Sequence, residues 1–132
     1  MAFDPPGISN EFIYDTLASN GEVPVFLGWP STDEIQTSKY HFLAFSRDGM
    51  EKGEGAFAYI ERIIVSYVFP STSEIAADLE DVIDILVQAG LNFREATEDT
   101  LVFKDTKEEY TAMQIIVTRP RKYSKLRSDA NG

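Results

Sequence analysis

The chain has 132 residues, and 43% hydrophobic side chains with 9 Phe, 6 Tyr and 1 Trp are enough for one folded domain with a core. It contains no cysteine, which excludes disulfides, thiolate zinc sites and a cysteine nucleophile. Its net charge of −10 opposes binding to nucleic acid or anionic lipid. No signal-peptide pattern opens the chain and no apolar run approaches 18 residues, so we expect a soluble protein made inside the cell, with no membrane partner.

The first part of the chain predicts one helix and two strands. Residues 8–20 form an amphipathic helix that ends at an Asn-Gly pair. Residues 23–27 (VPVFL) form a short strand at a sheet edge, because Pro24 has no N–H for a second neighbour. The polar residues 31–38 read as a loop. Residues 40–46 are apolar on both strand faces, which indicates a central strand.

A glycine-rich segment and a long strand follow. Residues 47–55 (RDGMEKGEG), with Gly49, Gly53 and Gly55, predict a long flexible loop. This loop lacks the glycine spacing of a nucleotide site, and it could become ordered on assembly. Residues 57–69 are rich in β-branched and aromatic side chains. Because this strand exceeds the usual length, we expect it to protrude as a hairpin arm with the glycine loop at its tip or root.

The clearest predicted element is a helix over residues 73–89. Its sequence opens with the capping-box pattern STSE, and apolar residues recur at spacings of three and four. The opposite face carries four carboxylates and no Lys or Arg: Glu74, Asp78, Asp81 and Asp84. A solvated face or a protein-binding surface explains this strip better than a cation site, since the ligand pattern of a calcium loop is absent.

Three further strands are predicted over residues 91–94, 101–105 and 110–119, with Pro120 ending the last one. The element order is then α-β-β-β-α-β-β-β. This order predicts an α+β domain over residues 1–119, in which a mostly antiparallel sheet carries both helices on one face.

The net charge changes from negative to positive in the last residues of the chain. Residues 1–118 hold 7 Lys or Arg and 21 Asp or Glu, whereas residues 119–132 hold 5 Lys or Arg and 1 Asp. The five cations of the tail are Arg119, Arg121, Lys122, Lys125 and Arg127. We expect residues 120–132 to be a flexible tail. A disordered terminus, an assembly arm attracted to another copy and a nucleic-acid arm all fit this composition, but the acidic body opposes the last.

Two single residues have possible roles in chemistry or binding. His41 is the only histidine, and no G-x-S-x-G element accompanies it, so we expect neither an enzyme nor a cofactor. Trp29 lies in a Gly-Trp-Pro turn, where it either anchors a partner or folds over the core.

The order of the predicted elements and the sequence patterns within them resemble those of a known protein family. A helix leads to VPVFLGWP at residues 23–30, and a long strand closes on VSYVFPS at residues 65–71. An amphipathic helix with ADLEDVIDIL at residues 77–86 follows, and a β-hairpin completes the domain. Over residues 8–119 the chain resembles the tail terminator, or tail-to-head joining, proteins of the neck of long-tailed bacteriophages.

The resemblance implies a structural role in the virion. Such proteins close into a ring, commonly a hexamer, on the last ring of the tail tube, where they stop tube polymerisation and present a surface to the head connector. The implied partners are other copies of the chain, the tail tube protein and the head connector or head-closure protein, with assembly in the host cytoplasm. The acidic helix face and the basic tail are candidates for the two different patches that a ring contact needs.

A different class of function also fits the composition. An acidic binding module, such as an inhibitor of a host protein or a DNA mimic, could use Asp78, Asp81 and Asp84 in place of phosphates.

Overall fold

The computed structural model describes residues 9–21, 23–52, 58–71 and 76–122, without the side chains of residues 51, 58, 76–78, 121 and 122. This part of the chain contains three helices and five strands. In chain order they are α1 (Asn10–Ala18), β1 (Val25–Leu27), α2 (Thr32–Thr37), β2 (Phe42–Lys52), β3 (Ala58–Pro70), α3 (Ala76–Gln88), β4 (Asn92–Val102) and β5 (Glu109–Lys122).

The five strands form one sheet in the order β1-β2-β3-β5-β4. β1 runs parallel to β2, and the other neighbouring pairs are antiparallel. The predicted α+β class with a mostly antiparallel sheet is therefore confirmed. So is the edge position of the strand that follows Pro24, and β2 lies between two other strands as its apolar character predicted.

The two faces of the sheet are covered unequally. α1 and α3 cover the first face through a cluster that contains Ile13, Leu17, Val25, Leu43, Phe45, Ile63, Val65, Tyr67, Val82, Leu86, Leu91, Ile115 and Val117. The second face carries a smaller cluster at one end, made of Ile35 of α2 with Phe42, Ala44, Val68, Tyr110 and Ala112. The prediction that both predicted helices lie on one face is thus confirmed for α1 and α3, whereas α2, which was not predicted as a helix, lies on the other face.

Residues 31–38, predicted as a loop, contain the helix α2. Ser31 and Glu34 form a complete capping box, in which the Ser31 hydroxyl accepts from the Glu34 N–H at 3.2 Å and the Glu34 carboxylate accepts from the Ser31 N–H at 3.0 Å. Ile35 is the buried residue of this helix. The observed order is accordingly α-β-α-β-β-α-β-β.

Two bulges account for other differences from the predicted elements. β2 continues through Gly49 to Lys52, so residues 47–52 are strand rather than loop, with an irregularity between Arg47 and Met50. Gly49 has a φ of +79°, which glycine adopts without strain. Residues 92–102 form one strand instead of two, with a second irregularity between Phe93 and Glu95.

β5 extends past Pro120, which was predicted to end it, and reaches Lys122. β4 begins opposite Thr118, so β5 has only β3 as a neighbour at Pro120. A proline is tolerated there because one side of the strand needs no ladder hydrogen bond.

The extended ends of three strands form a projection that we call the arm: residues 47–52 of β2, 58–62 of β3 and 118–122 of β5. α1 begins beside Arg47, whose Nε donates to Asn10 at 3.0 Å, and β4 begins opposite Thr118. The outer arm therefore extends beyond both elements. From Ile63 to Tyr59 it gains about 13 Å at the usual strand rise.

Candidate functional site

One candidate site is a cleft of about 540 Å³ between the end of α1 and α3, above the first face of the sheet. Its lining combines carboxylates, neutral polar groups and apolar side chains: Ser19, Asn20, Val23, Tyr67, Asp81, Val82, Asp84, Ile85 and Gln88. We call it the α1–α3 cleft.

Asp81 and Asp84 supply the charge of this cleft. Both are exposed and stand three residues apart on α3, which places them on neighbouring positions of the helix surface. Neither α1 nor α3 contains a Lys or Arg. The cleft thus offers carboxylate oxygens to a cation without a basic residue in either helix to neutralise them.

The α1 side of the cleft is fixed by Asn20. Its side-chain amide donates to the Leu17 carbonyl at 2.6 Å and the Val23 carbonyl at 3.2 Å, and its oxygen accepts from the Val23 N–H at 2.7 Å. Gly21 turns the chain with a φ of +83°. This network joins the end of α1 to the start of β1 and holds the rim of the cleft in place.

Tyr67 closes the cleft from the sheet. Its ring is buried, lies 5.5 Å from the ring of His41 at an interplanar angle of 30°, and its hydroxyl is 2.9 Å from His41 Nε2. The single histidine thus contacts a core tyrosine. Within the described residues no group of three or more His, Asp or Glu side chains is placed to hold a metal ion.

The arm has the opposite charge to the helices. It contains six Lys or Arg residues and three Asp or Glu residues. Two ion pairs lie at its base: Arg47 to Glu61 at 2.7 Å and Arg62 to Asp48 at 3.2 Å. Glu61 is only 7% exposed and lies opposite Arg119 in the register of β3 and β5.

The structure places the predicted site residues in two groups. Asp81 and Asp84 line the cleft, whereas Arg119, Arg121 and Lys122 lie near the end of β5, where it pairs with the first residues of β3. Asp78 belongs to α3, but its side chain is outside the described part. Five other candidates lie outside the described residues: Glu74, Gly53, Gly55, Lys125 and Arg127.

Trp29 belongs to a second, more apolar groove of about 390 Å³. Its ring is 56% exposed and meets the Phe42 ring edge-on, with centroids 5.4 Å apart. The tryptophan thus both covers a core residue and remains accessible, as each of the two predicted roles required. The groove lining is Trp29, Thr32, Ile35, Gln36, Tyr40, Phe103, Lys104 and Asp105.

The polar end of this groove was not predicted from the sequence. The Asp105 carboxylate accepts from the Tyr40 hydroxyl and, at 2.8 Å, from Gln36 Nε2. The bond to Asp105 raises the pKa of Tyr40 to about 12, and the same bond holds the pKa of Asp105 below its usual value. Tyr40 also stacks on Tyr110 with ring centroids 5.1 Å apart, and its backbone has a φ of 60°.

The sequence signal that could have found this groove is the STDE capping box, because it places α2, and with it Gln36, over the second face. Phe103, Lys104 and Asp105, from the turn between β4 and β5, line the groove only because of tertiary packing, which the local sequence does not indicate.

Comparison with known proteins finds no matching family model and no significantly similar curated protein. In the part of the chain that the structure describes, no helix combines the length and apolar character needed to cross a membrane.

Proposed function

We propose that the chain is a structural virion protein of the tail terminator type, which forms a ring at the head-proximal end of a phage tail tube. In this role it ends tube polymerisation and joins the tail to the head connector. The proposal combines the resemblance carried by residues 23–30, 65–71 and 77–86 with one observation on the structure.

That observation is the separation of opposite charges between the two helices that cover the sheet and the arm that extends from it. The helices α1 and α3 contain acidic but no basic residues, whereas the arm contains twice as many basic as acidic residues. Copies that attract one another through two different patches make heterologous contacts, and such contacts close into rings when the rotation per copy allows it. A two-fold dimer would instead have to bring both patches of each copy into one reciprocal interface.

The two edge strands disfavour pairing with a strand of another copy, so we expect copies to meet through their side-chain surfaces. β1 has only three residues, and β4 carries charged residues along its length: Arg94, Glu95, Glu98 and Asp99. Short and charged edge strands disfavour pairing with another sheet. An acidic surface also suits a lumen that passes DNA, because repulsion prevents the DNA from sticking.

A second candidate function is an acidic binding module that inhibits a host DNA-binding protein. The basic-free surface of α1 and α3 supports it, since Asp81 and Asp84 are exposed carboxylates on one helix. This candidate needs no contact between copies.

Mass in solution distinguishes the two candidates. At about 50 mM salt we expect light scattering to give one integer multiple of the 14.8 kDa chain mass, falling at about 500 mM salt where charge contacts are screened. Electron microscopy of the low-salt sample should show rings with a central opening. A monomer or a dimer of the 14.8 kDa chain at both salt concentrations that also forms no ring on a tail tube would contradict the ring and favour the binding module.

A further inference from the structure

We infer that the arm of one copy docks in the α1–α3 cleft of the next copy. This inference rests on the proposed ring and names the two surfaces that build it. The occupant of the cleft is thus the basic end of β5 in a second copy of the chain, from Arg119 to Lys122, together with the basic residues that follow.

The chemistry of the two surfaces is complementary. The cleft presents Asp81 and Asp84, and the neutral groups Ser19, Asn20 and Gln88 add hydrogen-bond partners. Lys and Arg carry a charged end on an apolar stem. The cleft matches both parts, because apolar side chains of α3 lie beside its carboxylates: Val82 and Ile85.

The end of the arm lies far along β5 from Tyr67, the residue that closes the cleft from the sheet. Tyr67, which closes the cleft, pairs in register with Met113, and Lys122 lies nine residues further along β5. That separation is about 30 Å at the usual strand rise. Pairing with β3 as far as Ala58 opposite Lys122 keeps β5 from folding back.

The basic residues after β5 add a limited reach. Lys125 is three residues beyond Lys122 and Arg127 is five, so a fully extended chain places Arg127 at most about 18 Å from the end of the strand. A contact of the basic segment with the part of the cleft at Tyr67 is therefore a contact between copies. It joins two different patches, which is the geometry that a ring requires.

Charge reversal at each surface tests the contact. The cleft-reversed variant carries Asp81→Lys and Asp84→Lys, and the arm-reversed variant carries Arg121→Glu and Lys122→Glu. Sedimentation velocity at low salt should show each variant dissociating, with an apparent dissociation constant raised on the order of 100-fold over the unchanged chain. The four-fold variant restores opposite charges across the same contact and should assemble again.

Two control variants change the net charge by the same amounts elsewhere. Lys104→Glu with Lys107→Glu alters the turn before β5, and Glu98→Lys with Asp99→Lys alters the outer edge of β4. Both should assemble like the unchanged chain, and thermal melting should show all variants folded.

The possible outcomes separate the inference from the proposed function. If the unchanged chain assembles and both single-surface variants assemble equally well, the arm-to-cleft contact is refuted while the ring stands. If the four-fold variant stays dissociated although it is folded, the pairing of these two surfaces is refuted. If the unchanged chain stays monomeric at low salt and forms no ring on tail tubes, the ring itself fails and the contact with it.

Discussion

Replacing Phe45 with alanine is expected to lower the free energy of unfolding by about 3 to 5 kcal/mol. Phe45 is 2% exposed on β2 and belongs to the cluster under α1 and α3. Its removal leaves a cavity beneath both helices that neighbouring side chains fill only in part. Urea denaturation followed by circular dichroism measures the change, with an unchanged slope if the unfolded state is unaffected.

Phe12→Ala is the matched control, because it deletes the same side chain from the exposed side of α1, where Phe12 is 42% accessible. We expect it to cost about 1 kcal/mol or less. Equal losses at Phe12 and Phe45 would show that the sheet face under α1 and α3 is not the core of the domain.

Replacing Arg47 with methionine is expected to lower the free energy of unfolding by about 1 to 3 kcal/mol. Arg47 donates to the Glu61 carboxylate at 2.7 Å, and the Glu61 side chain is only 9% exposed. Losing the guanidinium removes a positive charge from a carboxylate with little access to water. The Arg47 side chain is itself 39% exposed, which keeps the expected loss below that of a fully buried pair.

Arg62→Met is the control on the next strand of the arm, because its partner Asp48 is 42% exposed and the two atoms are 3.2 Å apart. It should change stability by no more than about 1 kcal/mol. Glu61→Leu, alone and combined with Arg47→Met, completes a double-mutant cycle. A coupling energy near zero between Arg47 and Glu61 would mean that their ion pair does not stabilise the base of the arm.

The fold was predictable where one local rule dominates. Pro24 places β1 at an edge, and the spacing of Leu79, Val82 and Leu86 identifies α3 and its buried side. Prediction failed for the elements whose formation depends on tertiary contacts. α2 has six residues with one buried side chain, which is too few for a periodic signal, although its capping box was visible.

Charged edge strands and glycine bulges explain the other errors. The two strands predicted over residues 91–94 and 101–105 left Glu98 and Asp99 between them, but both residues lie inside β4, where an edge strand tolerates charges on each face. Gly49 read as part of a loop, but it serves a bulge in β2. In sequence a glycine at a bulge and a glycine in a loop are indistinguishable, because both require the same backbone freedom.

The candidate site was predictable only in part. The spacing of Asp81 and Asp84 places them on one helix surface, but their position beside Asn20 depends on how α1 packs against α3. The charge reversal at the end of the chain was visible as composition. Its first residues, Arg119 to Lys122, turned out to belong to a paired strand, which changes a presumed tail into part of a rigid arm.

Tube capping tests the central claim most directly. The protein would be added to the tail tube protein of the same genome while that protein polymerises, and tube lengths and ends would be recorded by electron microscopy. The proposed function predicts tubes that stop growing and carry one ring of this protein at a single end. Tubes that grow to the same length with and without the protein, and bear no added density at either end, would contradict it.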